Sequence, residues 1–328
     1  MDYIKITYDY ILDIKKIEDS YNIVKKNTCH KAKINKWELF YTSNCVSILD
    51  KLINRNYQHK EYNIFIISEP KIRVIMSEQL SDKIINHLLS KYVYFPLLEP
   101  KLIEMNVASR TNKGSKAGIE YLKKYINSLK ENNKQIYILK CDIEKYFYSI
   151  DHEILLNKLK KIIIDEDLFN LTKNIINSTD SEYINNKINY QINKKKENAN
   201  KKLLSELKKI PCYKKGKGLP IGNMSSQIFA SFYLNDLDHY IKEELKIKHY
   251  IRYVDDFILL HQSKEYLEYC KIKINEKIRE LKLNLNSKVQ ICEIHKGVTF
   301  IGYKFILKNN KLLILMGPKF KKKLKMVL

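Results

Sequence analysis

Two adjacent aspartates, Asp255 and Asp256, stand between two apolar runs, His249 to Arg252 and Phe257 to Leu260. On a straight strand their side chains would point to opposite faces. At a turn both can reach one side, and aspartate is common in turns. Tyr253-Val254-Asp255-Asp256 is therefore read as the tip of a β-hairpin over 248–261. A third carboxylate, Asp142, ends another strand-like run, Gln135 to Cys141. Three carboxylates at strand ends form a hard oxygen donor set, which suits magnesium and leaves positions open for phosphates. A pair of ions about 3.5–4 Å apart needs carboxylates from more than one strand. Asp142 and Asp255 fit as the bridging ligands, with Asp256 more peripheral.

The charge of the chain agrees with a phosphate-bearing partner. Lys and Arg number 60 against 37 Asp and Glu, a net charge of +23. That is well beyond what solubility needs, and such a field draws in phosphate backbones. Compositional bias toward Lys, Ile, Asn and Tyr accounts for part of the lysine but not for the shortage of acids. The six cysteines form no CxxC pair and are read as reduced, mostly buried thiols of a cytoplasmic protein. The polar start, MDYIKITYDY, does not read as a signal peptide, and no apolar run approaches the length of a membrane span.

Apolar spacing predicts a helix over 33–55, strands at 63–67 and 71–75, and a helix at 79–93 broken off by Pro96 and Pro100. A helix follows at 116–130, then helices over 152–178 interrupted by Asp165, Glu166 and Asp167. The Lys-rich stretch 180–217 is read as a solvated surface or loop. A helix over 224–245, the hairpin, a helix over 264–281 and strands near 288–293, 298–305 and 311–316 complete the order. This order suits an α+β fold, an antiparallel sheet backed by helices.

Cys141-Asp142-Ile143-Glu144-Lys145-Tyr146-Phe147-Tyr148-Ser149-Ile150-Asp151-His152 resembles the first palm motif of reverse transcriptases. The resemblance implies a right-hand polymerase: N-terminal extension and fingers over 1–135, palm over 136–305 with a Lys-rich insertion at about 155–215, and the start of a very short thumb over 306–328. It implies Asp142, Ile143, Asp255 and Asp256 as ligands of two Mg2+ ions, and Phe147 as the ring that excludes a ribose 2′-hydroxyl. Arg73, in Lys-Ile-Arg-Val-Ile, resembles the first fingers motif. Ala108-Ser109-Arg110-Thr111-Asn112-Lys113-Gly114 resembles the second, which makes Arg110 and Lys113 a clasp for the triphosphate. Lys288 falls where the family carries a lysine able to protonate pyrophosphate, with Lys282 as the competing position. Phe300-Ile301-Gly302-Tyr303 resembles the primer-grip hairpin.

Of only eight glycines, Gly216, Gly218 and Gly222 cluster before a helix start, as a close backbone approach to a ligand would require. Ile221-Gly222, three residues, then Ser226-Gln227 resembles the second palm motif in the form carried by diversity-generating retroelement enzymes, as does Asn235 to Asp238. Most reverse transcriptases have a glutamine where Ile221 stands. The subtype implies error-prone copying of template adenines, with Ile221, Gly222 and Gln227 at the incoming nucleotide. It also implies an RNA template, a DNA or RNA primer, deoxynucleoside triphosphates, a small basic accessory variability protein and a bacterial or phage source. The alternatives are a phage-defence or template-independent polymerase on the same palm, or a catalytically silent RNA-binding relative. A basic helix start at Lys319–Lys325 is all that follows the last strand.

Overall fold

The computed structural model describes residues 5–29, 31–69, 71–130, 135–197 and 199–317. The protein is α+β, and among the described residues every strand ladder is antiparallel. The strands are β1 (Asn63–Ile67), β2 (Arg73–Ser77), β3 (Tyr137–Asp142), β4 (His249–Tyr253), β5 (Asp256–His261), β6 (Gln290–Glu293), β7 (Val298–Phe300), β8 (Tyr303–Lys308) and β9 (Lys311–Met316). The chain divides into two compact units, Met1–Lys101 with Ile150–Ala230, and Leu102–Ser149 with Ser231–Leu328. The expected basic helix at Lys319–Lys325 lies outside the described residues.

The first unit is mostly helical around the β1–β2 ribbon. Ile64 and Ile66 pair with Met76 and Val74 and turn inward, as alternation along a half-buried strand requires. The helix Ile14–Asn27 was not foreseen. It buries Ile17, Tyr21 and Val24, and the Asp13 side chain accepts the Lys15 N–H as its N-cap. The helix expected over 33–55 is two, Lys31–Glu38 and Tyr41–Ile53. The break at Leu39-Phe40 lets each half bury its own apolar face while both of these side chains stay exposed.

Pro96 does not break the helical path. Leu80–Leu89 continues through a wide turn at Ser90–Tyr94 into Phe95–Leu98, with Pro96 in the first turn of that last piece. The turn before it is widened, the Phe95 N–H reaching back to the Ser90 carbonyl, which accommodates a ring that a regular helix interior would not. The stretch 180–217, expected as surface or loop, is largely helical: Glu182–Lys196 and Lys201–Leu207. In the longer helix only Ile184 and Ile188 are buried, a stripe too thin to stand out among lysines and asparagines.

The second unit is built on the sheet β4-β5-β3-β6. The helices Ser115–Lys130 and Lys264–Glu280 pack on it. Its core joins Ile138, Ile251, Ile258 and Leu260 of the sheet to Leu122 and Ile126 of the first helix. The helix expected over 224–245 breaks at Leu234 into Met224–Tyr233 and Asn235–His239, the latter running into a wide turn at Tyr240–Glu244. The strand expected over 298–305 is the hairpin β7–β8, turning at Ile301 and Gly302 with φ of +48° and +82°. The turn pairs Val298 with Phe305 and brings Phe300 and Phe305 into the core together. β9 completes a second sheet, β7-β8-β9.

Half of the thiols are buried rather than most: Cys45, Cys141 and Cys270, while Cys29 and Cys212 are exposed. Among the described residues no helix is long and apolar enough to cross a membrane.

Candidate active site

The hairpin read from the sequence is present, and its neighbour in the sheet is β3. In the β3–β5 register Asp142 faces Asp256. Tyr253 faces Asp256 across the hairpin, so Val254 and Asp255 form a two-residue turn. Val254 has φ of +59° while Asp255 stays negative. That sign pattern belongs to a type II′ turn, where glycine normally takes the first place. A β-branched residue there is strained by about 1–3 kcal/mol.

What holds the turn is Arg252, which is fully buried. Its Nη1 donates to the Val254 carbonyl at 2.8 Å, and its Nη2 donates to the Ser231 carbonyl at 2.9 Å. Its Nε and Nη2 fork onto the two oxygens of Asp238, also fully buried, at 2.7 Å and 2.5 Å. Tyr250 Oη donates to the same carboxylate at 2.6 Å. Burial opposes the charge on Arg252, but Asp238 more than offsets it and holds the guanidinium protonated. The backbone of Arg252 is tied as well, its N–H to the Met105 carbonyl and its carbonyl to the Val107 N–H. Sequence reasoning missed this pair. The available signal was a charge inside an apolar strand, which demands a buried partner.

Each carboxylate has its own setting. Asp142 Oδ2 accepts from Asn286 Nδ2 at 3.1 Å, and its carbonyl accepts the Asn286 N–H at 2.8 Å. Asp256 Oδ2 lies 3.4 Å from Lys140 Nζ, which also donates to the Thr299 carbonyl at 2.5 Å. Burial pushes the Asp256 carboxyl up to about 6; Lys140 works against this, and the charges of Asp142 and Asp255 add to it. Asp256 Oδ1 is buried with no hydrogen-bond partner.

An all-oxygen donor set with one orphaned buried oxygen suits a hard divalent cation. As the side chains stand, no group of three His, Cys, Asp or Glu among the described residues is gathered closely enough to hold an ion. Asp256 is drawn to Lys140 instead. Ile143, buried next to Asp142, has no ligating side chain and could offer only its carbonyl.

The other expected residues fall on both units. Phe147 is half-buried on the short helix Tyr146–Ser149. Tyr146, its ring 5.8 Å away at 71°, takes the core position instead. Arg110 Nη1 donates to the carbonyls of Ile103 at 2.6 Å and Asn106 at 3.2 Å. Lys113 Nζ donates to the Glu104 carbonyl at 2.6 Å. Lys140 faces Gln290 across β3 and β6, so the same register leads to Lys288, exposed, at the Asp142 end. Its N–H donates to Asn286 Oδ1 at 3.1 Å. Lys282, the competing position, is exposed at the end of a helix with φ of +54°. Phe300 is buried, and Ile301, Gly302 and Tyr303 form the β7–β8 turn and its closing residue.

In the first unit, Arg73 is exposed at the start of β2, and Gln227 is exposed on the helix Met224–Tyr233. The Ile221 carbonyl accepts the Met76 N–H at 2.9 Å, which seats Ile221-Gly222 against β2. Gly222 has φ of +137°, and a Cβ on it would meet the Met76 carbonyl oxygen at 2.6 Å. Only glycine fits. Gly222→Ala should cost about 1–3 kcal/mol of stability, seen as a lower urea midpoint with an unchanged m-value. A midpoint equal to wild type would show that the loop is not pressed onto β2.

A family model described as "Reverse transcriptase (RNA-dependent DNA polymerase)" matches residues 58–305. No curated protein sequence matches the chain. Among solved structures, apo telomerase from Candida tropicalis, truncated from its C-terminal domain, is similar with a TM-score of 0.51 and 15% identity, over 77% of this chain and 54% of that one. Telomerase from Candida albicans in complex with a TWJ fragment of telomeric RNA has a TM-score of 0.53 and 14% identity, over 81% of this chain and 48% of that one. At such identities the likeness is one of fold, and this chain spans about half the length of the telomerase chains it matches. The family match covers most of the chain, and the site described above lies inside it. The chain belongs to the reverse transcriptase family of nucleotidyltransferases.

Proposed function

We propose that this chain is an RNA-directed DNA polymerase that copies an RNA template from a DNA or RNA primer, using deoxynucleoside triphosphates and two Mg2+ ions. The observation that carries this reading is the pairing of Asp142 with Asp256, with Asp255 in the adjoining turn. Asp142, Asp255 and Asp256, with the carbonyl of Ile143, would hold the ions. Bound there, such ions supply an activated primer hydroxyl and charge stabilisation for the departing pyrophosphate.

The chain's own residues do the rest. The half-exposed ring of Phe147 selects against a 2′-hydroxyl by contact. Arg73, Arg110 and Lys113 offer cations to the triphosphate. Lys288 gives a proton to pyrophosphate, and Phe300 to Tyr303 grip the primer. The same reading assigns 1–135 to an N-terminal extension and fingers, 136–305 to the palm and 306–328 to the start of a thumb. It places the enzyme in the cytoplasm of a bacterium, encoded there or by a phage.

We assign it to the diversity-generating type, working with a small basic accessory protein, on the Ile221-Gly222…Ser226-Gln227 pattern. An aliphatic side chain cannot hydrogen-bond the incoming nucleotide, so mispairs are rejected less strictly. Primer extension on a defined RNA with Mg2+, followed by sequencing, tests both levels. Complementary DNA with errors concentrated at template adenines is expected. Random-sequence or protein-primed product would favour the defence or template-independent alternative, and RNA binding without incorporation would favour a silent relative. Ile221→Gln should lower errors at adenines about five-fold, the worth of one added hydrogen bond of about 1 kcal/mol. An unchanged error spectrum would remove Ile221 from the nucleotide site.

A further inference from the structure

One buried carboxylate has no part in the chemistry above. Glu78, one residue beyond β2, is 8% exposed. Its Oε1 accepts from Asn86 Nδ2 at 2.9 Å and from Asn223 Nδ2 at 2.9 Å, with His59 Nε2 at 3.4 Å. Asn86 in turn clasps Ser225. Its Nδ2 donates to Ser225 Oγ at 3.0 Å, and its Oδ1 accepts the Ser225 N–H at 3.0 Å. Asn223 Nδ2 also donates to Tyr62 Oη at 3.0 Å. One oxygen of Glu78 is thus the hub for two side-chain amides that grasp residues 223 and 225. The residues just before them, Ile221 and Gly222, are fixed to β2 through Met76.

Such an arrangement costs more than stability alone would justify. Burial disfavours the carboxylate and pushes its pKa up, while His59 and Asn86 pull it back and the Asp82 charge raises it further. Apolar residues of similar volume are often as stable as a buried ionic group. A polar network whose amide donors are matched, as those of Asn86 and Asn223 are here, by contrast favours one geometry, although Asn223 Oδ1 is buried without a partner. A surface that selects by shape depends on that geometry. The aliphatic Ile221 can discriminate only by contact, and contact energy falls off steeply within an ångström.

We propose that Glu78 is a positioning residue for nucleotide selection, which sets the placement of the Ile221-Gly222 loop through Asn86, Asn223 and Ser225. The inference rests on Ile221 being a nucleotide contact. It makes the loop's placement, as well as the identity of residue 221, a determinant of copying errors.

The test is single-nucleotide incorporation opposite a template adenine by active-site-titrated enzyme, with KM and kcat measured for the correct and a mismatched nucleotide. Glu78→Ala should raise KM for the correct nucleotide and change the correct-to-mismatched ratio by about three-fold or more, the scale of losing one hydrogen bond. Glu78→Gln keeps an acceptor for both amides and should restore wild-type values. Ser225→Ala removes a single hydroxyl, guards against misfolding of Glu78→Ala, and should shift the ratio in the same direction by less. The effects of Glu78→Ala (Ser225→Ala if the former does not fold) and Ile221→Gln should be non-additive.

A merely structural Glu78 would lower the active fraction and leave KM and the ratio alone, which would overturn the proposal. If Ile221→Gln alters selection while the Glu78 and Ser225 variants do not, Glu78 alone loses its role. If Ile221→Gln itself changes nothing, the placement of Ile221 fails and this inference fails with it.

Discussion

Asp255→Asn should incorporate no more than about a thousandth of the wild-type deoxynucleotide, while RNA affinity stays within about two-fold. The first figure is the scale on which removing one preorganised charge-stabilising group slows a reaction. Asparagine keeps the size of the side chain and its turn propensity, so the hairpin should be retained and the donor charge lost. The second figure follows because backbone affinity comes from Lys and Arg meeting phosphates, and the chain's +23 is untouched except for one acid fewer. Filter binding and primer extension on the same preparation read both numbers. Retained incorporation would remove Asp255 from the metal site.

The largest effect on stability is expected at Arg252→Leu, about 3–5 kcal/mol. Both Arg252 and Asp238 are fully buried and joined through a fork, and removing one member leaves an uncompensated charge inside the protein. The double variant Arg252→Leu with Asp238→Leu should regain much of the loss, since an apolar pair can replace a buried ionic one. Urea melts of wild type and of the single and double variants give the comparison. A single variant within about 1 kcal/mol of wild type would mean that the fork contributes nothing to stability.

The hairpin at 249–261 was legible because two charges inside an apolar run can only sit at a turn, and β1 was legible from its short apolar run. The order of motifs gave the family, whereas the pairing of β3 with β5 that sets Asp142 opposite Asp256 came from the fold. Helices were hidden where their buried stripe is thin. Ile14–Asn27 buries Ile17, Tyr21 and Val24 as its apolar stripe among charges, and Glu182–Lys196 buries two isoleucines. Pro96 misled because its cost depends on its position within a helical turn, which spacing alone does not reveal. Apolar spacing hid the β7–β8 turn, because Ile301 takes a left-handed backbone that its type rarely adopts; only the resemblance of Phe300–Tyr303 to a primer-grip hairpin pointed to it. The polar pairings are made by the fold: Arg252 with Asp238 and Asn286 with Asp142 in one unit, Glu78 with Asn86 and Asn223 in the other. Arg252 and Asp142 stand out in the sequence, but their partners read alone as ordinary surface residues. Only the closed fold brings the partners together.

Val254 carries a lesson for anyone wishing to improve this enzyme. Its backbone is bent against its own preference at the tip that carries Asp255, so a thermostability screen would favour glycine at this position. With Asp255 as the metal ligand proposed above, the hardier proteins it returned would have relaxed the very segment that aims that acid. Robustness and copying would then pull in opposite directions at that residue.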